Sequence, residues 1–256
     1  MKVTVCELRD EPDYFLRDWQ ALAAHTREQC SELVLLPEMP FYTWFPRSPR
    51  FDPAVWEEAV QAHERWLANL PDLAPAAVLG SRPVETAGRR ANEGFAWDLA
   101  RGARPVHRKY YLPDEQGFWE ASWYGRGPGD FTPLEGDGLK IGFAICTDLW
   151  FLEHARAYGR QGVHILANPR GTLDSTREKW LVAGRAAALV SGAFVLSSNR
   201  AGPQGGDPLF GGQGWVVDPE GEVLGLTSPG QPFITLDIDL DQAEQAKKAY
   251  PRYVQE

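Results

Sequence analysis

The sequence predicts an α/β protein with mixed sheets. Apolar runs of strand length alternate with stretches of helical period, the chain is 256 residues long, and it is 43% hydrophobic and 24% charged, the make-up of a folded soluble protein. A chain of this length buries roughly 70–75% of its unfolded surface, so a single domain without a metal or disulfide staple is expected.

The elements follow in order. KVTVCEL (2–8) reads as a strand, and Phe15, Trp19 and Leu22 then fall on one face of a helix. LVLLP (33–37) is a buried strand. Val55, Ala59, Ala62 and Trp66 repeat the helical spacing behind Asp52-Pro53, a cap followed by a first-turn proline. AAVLG (76–80), FAWDL (95–99) and PVHRK (105–109) are strands, the last two joined through the turn-like Arg101-Gly102-Ala103. LKIGFAI (139–145), VHILAN (163–168) and AFVLSSN (193–199) are strands separated by helical segments near 151–160 and 176–190. GWVVDPEGEVLG (214–225) carries a hairpin turn, and FITLDIDL (233–240) alternates as a strand. Gly205-Gly206 and Gly211-Gly212 crowd segment 202–214, which reads as a surface loop, and the C-terminal AEQAKKAYPRYVQE reads as an arm packed on the body or on a partner subunit.

With 26 Lys+Arg against 35 Asp+Glu the net charge is −9, which argues against a polyanion binder; nucleic acid is not an expected partner. Cys6, Cys30 and Cys146 form no CxxC pair and are odd in number, so neither a zinc cluster nor a disulfide framework fits, and a reducing cytoplasm is expected. The opening MKVTVCELRDEPD places acidic residues too early for a signal peptide, and no later run approaches the roughly 20 apolar residues of a membrane span. Cys6 and Cys30 read as core or structural.

Cys146 is different, because it ends the apolar strand of LKIGFAICTDLWFLEHAR (139–156) and leads into a helical pattern. Backbone N–H groups at a helix start lower a thiol pKa and donate to a developing oxyanion, so this is a setting for a nucleophile, with a small buried hydrophobe as the alternative. None of His25, His63, His107, His154 and His164 ends a strand among converging polar groups. A buried carboxylate whose pKa is raised can replace histidine as the base, and Glu38 follows LVLLP where side chains of α/β sheets meet ligands. Lys109 ends PVHRK. Glu, Lys and Cys thus each terminate an apolar strand, and a base, a cation and a thiol converging on one carbonyl carbon is a coherent chemistry. The aromatic clusters FYTWFP (41–46) and FWEASWY (118–124) are either core or the walls of a pocket, with Tyr42 and Trp119 as candidate substrate contacts in the second case.

The order LLPE (35–38), HRKYYLPDE (107–115), GFAICTDLWFLEHAR (142–156) and NPRGT (168–172) resembles the nitrilase superfamily of carbon–nitrogen hydrolases, and the likeness runs on through GRAAALVSGAFVLSSNRAG (184–202) and the hairpin. The resemblance implies Glu38, Lys109 and Cys146 as the catalytic glutamate, lysine and cysteine. It also implies a further glutamate at Glu120, with Glu115 as the alternative, and supporting roles for Asn92 and Arg156. A four-layer α-β-β-α sandwich forming one domain over 1–256, no metal, no organic cofactor, and a homodimer or higher homo-oligomer are further implications.

Three departures bear on substrate. Thr147-Asp148 follows the cysteine, where amidase and carbamoylase branches commonly have an aromatic and then Asp, and nitrilases Trp and then Glu; Asp148 favours the amide side. Leu152 stands where many members have proline before a glutamate, here Glu153, and Arg170 stands where many have a small residue. Arg170 faces either the pocket, gripping a carboxylate, or an outward ion pair. The resulting expectation is hydrolysis of a small linear amide through a thioester, with the backbone of Thr147 completing the oxyanion site. N-carbamoyl compounds are the first alternative, nitriles the second, and a catalytically silent binding module the third.

Overall fold

The computed structural model describes residues 1–136, 138–202 and 208–254. Strand β1 (Lys2–Arg9) alternates its side chains between two apolar layers, Val3 and Val5 to one side and Cys6 and Leu8 to the other. Helix α1 (Pro12–Gln29) begins at a first-turn proline and ends at Cys30, whose φ of 55° closes the helix in the left-handed region. Cys30 is exposed there, contrary to the sequence expectation; as a C-cap residue it lies beyond the helix's buried stripe. Strand β2 (Leu33–Leu35) follows, then α2 (Pro53–Leu67), whose Asp52 cap accepts from the Ala54 N–H at 2.9 Å.

Strands β3 (Ala77–Thr86) and β4 (Arg89–Asp98) form a hairpin longer than their apolar cores, and β5 (Gly102–Arg108) extends it. The single turn α3 (Glu120–Trp123) precedes β6 (Leu134–Gly136) and β7 (Leu139–Phe143). Next come α4 (Leu152–Arg160), β8 (Ile165–Arg170), α5 (Arg177–Ser191) and β9 (Phe194–Gly202). The short strands β10 (Phe210–Gly211), β11 (Trp215–Val217) and β12 (Val223–Leu226) follow, then β13 (Phe233–Asp237) and α6 (Leu240–Ala246). The expected strand 233–240 stops early because Asp239 caps α6, accepting from the Asp241 N–H at 3.1 Å.

Strand β1 belongs to both halves of the sheet system. Its Lys2–Cys6 stretch pairs with β13 and β2, leading on to β3, β4 and β5, while Glu7–Arg9 pairs with β9, leading on to β8, β7 and β6. Val5, Leu35 and Leu79 of one half pack against Phe143, Ala167 and Leu196 of the other, making an apolar layer between sheets. Phe15, Trp19 and Leu22 of α1 cover the first sheet, and Ala155, Tyr158, Ala183 and Ala187 of α4 and α5 cover the second. The result is the expected four-layer order, helices outside and two sheets within. Helix α5 lies so close to β11 that a Cβ on Gly184 would fall 2.3 Å from the Trp215 ring, so the approach requires glycine.

The C-terminal segment packs on its own chain, the Arg252 Nε donating to the Ala246 carbonyl and its Nη1 to the Leu189 carbonyl. Gly211 and Gly212 end the crowded glycine segment, whereas Gly205 and Gly206 lie outside the described residues. No helix among the described residues is long and apolar enough to cross a membrane.

Candidate active site

Three strand ends bring the expected residues together. Glu38 lies three residues beyond β2, its backbone N–H donating to the Arg170 carbonyl at 3.2 Å, and Lys109 lies one residue beyond β5, its N–H donating to the Asn92 carbonyl at 2.9 Å. Strand β7 ends at Phe143, whose N–H and carbonyl are both taken by the Tyr158 hydroxyl, at 3.2 and 3.0 Å. The chain then turns at Cys146, which has φ of 47° and opens a 3₁₀ turn running to Trp150. A non-glycine residue in the left-handed region is strained, and such strain collects at functional sites. The expected helix start is therefore this turn, with α4 following it.

Lys109 Nζ donates to Glu38 Oε1 at 2.8 Å and to both carboxylate oxygens of Glu120, at 2.8 and 2.6 Å. All three side chains are fully buried. Asn92 Nδ2 donates to Glu38 Oε1 at 2.7 Å, and the Gly171 N–H donates to Glu38 Oε2 at 3.1 Å. Cys146 is buried close enough to feel the charges of Glu38, Lys109 and Glu120. Tyr124 donates its hydroxyl to Glu120 Oε2.

Burial pushes the Cys146 pKa up, and the nearby Glu38 carboxylate raises it further, so the resting sulfur is a thiol. Burial alone would lower Lys109, but the Glu120 and Glu38 carboxylates outweigh it and the net shift is upward, which keeps the ammonium charged. Glu120 is raised, first by burial, while its contact with Lys109 opposes the rise. One cation thus serves two carboxylates in a site closed to water, beside a thiol that needs a base to become a nucleophile.

Other buried groups hold this cluster in place. Asp148 Oδ1 accepts from the Tyr110 and Tyr111 N–H groups at 3.2 and 2.9 Å, and its Oδ2 from the Ile145 N–H at 3.2 Å and His107 Nε2 at 3.0 Å. One carboxylate therefore joins the segment after Lys109 to the segment before Cys146. Asn168 Nδ2 donates to the carbonyls of Ala144 and Cys146, at 2.6 and 3.3 Å. Arg200 Nη1 donates to the carbonyls of Glu38 and Met39, at 3.1 and 2.5 Å, and its Nη2 meets Asp10. His63 accepts the Phe41 N–H at 3.3 Å and donates to the Ala59 carbonyl at 2.7 Å, anchoring the loop that follows Glu38.

Sequence reasoning passed over His107, His63 and Arg200. Arg200 lies within β9 behind the polar Ser197-Ser198-Asn199, so no apolar strand end marked it in the sequence. Asn92, expected to support the framework, touches Glu38 directly, while Arg156 ties the C-terminal segment by donating to the Val254 carbonyl at 2.8 Å.

The remaining candidates lie around the cluster. Thr147 is half-buried in the 3₁₀ turn beside Cys146, and Trp119, also half-buried, precedes Glu120 with its N–H on the Pro46 carbonyl at 2.7 Å. Tyr42 donates its hydroxyl to Glu58 at 2.8 Å and lines a depression of about 830 Å³ with Phe45 and Trp123, which does not include Cys146. Glu115, the alternative to Glu120, is exposed. Arg170 is turned into the fold, 1% exposed, with Nε on the Ser197 hydroxyl at 2.6 Å, Nη1 on the Thr172 hydroxyl at 2.8 Å and Nη2 on the Gln213 carbonyl at 2.5 Å. No carboxylate among the described residues pairs with it, and burial lowers its pKa to about 9. Among the described residues no three His, Cys, Asp or Glu side chains gather as a metal site would need.

Residues 2–248 match the carbon-nitrogen hydrolase family, and the chain belongs to it. It is 28% identical over 256 residues to a glutamine-dependent NAD(+) synthetase from Rhodobacter capsulatus, covering 97% of this chain and 44% of that one. It is also 28% identical over 180 residues to an omega-amidase from Xenopus tropicalis, covering 67% of this chain and 64% of that protein. The chain thus spans less than two thirds of the length of either relative. Its fold matches the crystal structure of a carbon-nitrogen hydrolase from Helicobacter pylori G27 with a TM-score of 0.87, at 23% identity and covering 99% and 94% of the two chains.

Proposed function

We propose that the protein hydrolyses the carbon–nitrogen bond of a small linear amide through a thioester on Cys146. The observation that carries this reading is the buried cluster in which Lys109 Nζ and the Gly171 N–H hold the two oxygens of Glu38, with Cys146 buried beside these charges at a strained turn. Glu38 takes the thiol proton as sulfur attacks the carbonyl carbon. The oxyanion that forms is held by Lys109 Nζ and by the Thr147 N–H, a first-turn donor that the 3₁₀ turn itself does not use. The carbon–nitrogen bond breaks as Glu38 returns the proton to the departing ammonia or amine, leaving the thioester. Water, deprotonated by Glu38, then attacks the thioester carbon; carboxylate product leaves and sulfur recovers its proton.

Asp148 after Thr147 supports the amide side, and so do the names of the omega-amidase and the glutamine-dependent synthetase among the relatives. Glu120 shares Lys109 with Glu38 and helps hold that ammonium in place. The test is ammonia release from matched amides, ureido acids and nitriles, with Cys146→Ala as blank and intact-mass detection of the acyl-enzyme. Amides are expected to turn over with an acyl adduct on Cys146. A kcat/KM for a nitrile or a ureido acid above that for the matching amide, or turnover surviving in Cys146→Ala, overturns the reading.

A further inference from the structure

Arg170 and Glu7 are buried, 1% and 5% exposed, and among the described residues neither meets an opposite charge directly. Glu7 Oε2 accepts the Gln213 N–H at 2.8 Å and the Thr227 hydroxyl at 2.7 Å, while Arg170 Nη2 donates to the Gln213 carbonyl. The backbone of one residue, Gln213, therefore stands between the two charges, its N–H toward Glu7 and its carbonyl toward Arg170. A lone buried charge is costly, and an anion and a cation that polarise the same backbone from its two ends relieve each other. Gly212 and Gln213 carry φ of 57° and 61°, and a Cβ on Gly212 would fall 2.8 Å from Glu7 Oε2, so the carboxylate is seated against this turn. A glutamine held in the left-handed region is strained, and here a charge pulls on each of its backbone polar groups.

The other end of this arrangement is Glu38. The Arg170 carbonyl accepts the Glu38 N–H at 3.2 Å, and the N–H of the next residue, Gly171, donates to Glu38 Oε2 at 3.1 Å. Two consecutive residues thus hold Glu38 by its backbone and by its carboxylate. The Arg170 side chain braces that step, Nη1 reaching past Gly171 to the Thr172 hydroxyl at 2.8 Å and Nε taking the Ser197 hydroxyl at 2.6 Å. Ser197 in turn donates to the Asn168 carbonyl at 2.7 Å, and Asn168 Nδ2 holds the Cys146 carbonyl at 3.3 Å. One guanidinium is therefore connected to the backbone under both Glu38 and Cys146.

We propose that Arg170 is a positioning residue for hydrolysis, and that Arg170 and Glu7 form a buried ion pair bridged by the Gln213 backbone which fixes the Arg170-Gly171 step against Glu38. The proposal rests on the reading of Glu38 as base and Cys146 as nucleophile. Neither Arg170 nor Glu7 touches the substrate in this scheme; both act through the placement of Glu38.

The test uses the full chain and the variants Arg170→Met, Arg170→Lys, Glu7→Gln and the double Glu7→Gln/Arg170→Met, each checked for native circular dichroism. Two quantities are measured: kcat and KM for ammonia release from butyramide, and the rate at which iodoacetamide labels Cys146, read by peptide mass. In Arg170→Met both kcat and the labelling rate should fall by about 10–100-fold with KM nearly unchanged, because a displacement near 1 Å costs about 10²-fold. Arg170→Lys keeps the charge and a donor for the Gln213 carbonyl, so it should recover part of both. Glu7→Gln should lower kcat by a few-fold, and the double variant should lose no more than Arg170→Met alone, where independent sites would multiply. An Arg170→Met protein within about 3-fold of the parent in both quantities, a raised KM with kcat intact, or a double variant that loses the product of the single losses overturns the proposal. If Arg170→Met does not fold, Arg170→Lys and Glu7→Gln decide by the same two quantities. A parent protein that releases no ammonia from butyramide counts against the amide reading, and the labelling rates then decide the role of Arg170 on their own.

Discussion

Replacing Asp148 by Asn should damage stability and turnover together. Its carboxylate accepts four donors, two from the segment after Lys109 and two from Ile145 and His107, and it is 1% exposed. An asparagine that keeps its oxygen on Tyr110 and Tyr111 turns its NH₂ toward the Ile145 N–H, leaving that buried donor without an acceptor at about 1–3 kcal/mol. The flipped amide is worse, because it orphans both tyrosine N–H groups. The bonds that survive lose their charge assistance, roughly halving each, so the sum is about 3–5 kcal/mol. Against the 5–15 kcal/mol that holds a typical domain folded, this is a large fraction, and it should lower the urea midpoint by about 1 M or more at unchanged m. Because Ile145 adjoins Cys146 and Tyr110 adjoins Lys109, a displacement near 1 Å should also cost about 10²-fold in kcat. Urea unfolding and ammonia release on the same preparation check both effects. His107→Gln removes one of the four donors and should do less harm than Asp148→Asn. An Asp148→Asn protein with an unchanged midpoint and kcat within about 3-fold of the parent would refute the idea that this carboxylate holds nucleophile and cation in register.

Three other outcomes are expected. Lys109→Ala should lower kcat by about 10²–10³-fold, as loss of one oxyanion donor does; a raised KM with kcat intact would move Lys109 from catalysis to binding. Glu38→Gln keeps the shape but lacks the base, so single-turnover experiments should detect no acyl-enzyme burst, and a normal burst would point to another base. Burial pushes the fully buried His63 down to about 3 from 6.5, so below pH 6.5 the unfolded chain binds a proton that the folded chain refuses. The stability from this group is complete above that pH and falls by about 1.4 kcal/mol per unit as the pH drops toward 3. His63→Gln should flatten that slope in urea midpoints between about pH 5 and pH 7, and identical slopes in both proteins would show that His63 is protonated in the fold.

Local sequence carried the identity of the candidate catalytic groups because the relevant signal is local. A strand that runs apolar until its last residue, then presents Glu38, Lys109 or Cys146, announces a side chain delivered to the end of a sheet. The amphipathic faces of α1 and α2, the alternation along β1 and the short apolar run of β2 were legible for the same reason: these patterns are written in neighbouring residues. Boundaries were less legible. The end of β13 depends on Asp239 acting as a cap, and the exposure of Cys30 on a C-cap that no apolar spacing reveals.

The tertiary structure alone decided which groups meet. Glu38 and Lys109 are 71 positions apart, and Glu38 and Gly171 are 133 apart, so their hydrogen bonds follow from strand order and register. His107 shows the limit most plainly: along the chain it is one alternating residue of β5, and only the turn at Cys146 brings Asp148 within 3.0 Å of its Nε2. Arg170 makes the same point from the other side, because its place at a strand end allowed two orientations, and the hydroxyls of Ser197 and Thr172 with the Gln213 carbonyl draw it into the fold. Chain order determines which side chains stand at strand ends; which of them face one another, and which hydrogen bonds offset their burial, is determined by packing among segments far apart in the chain.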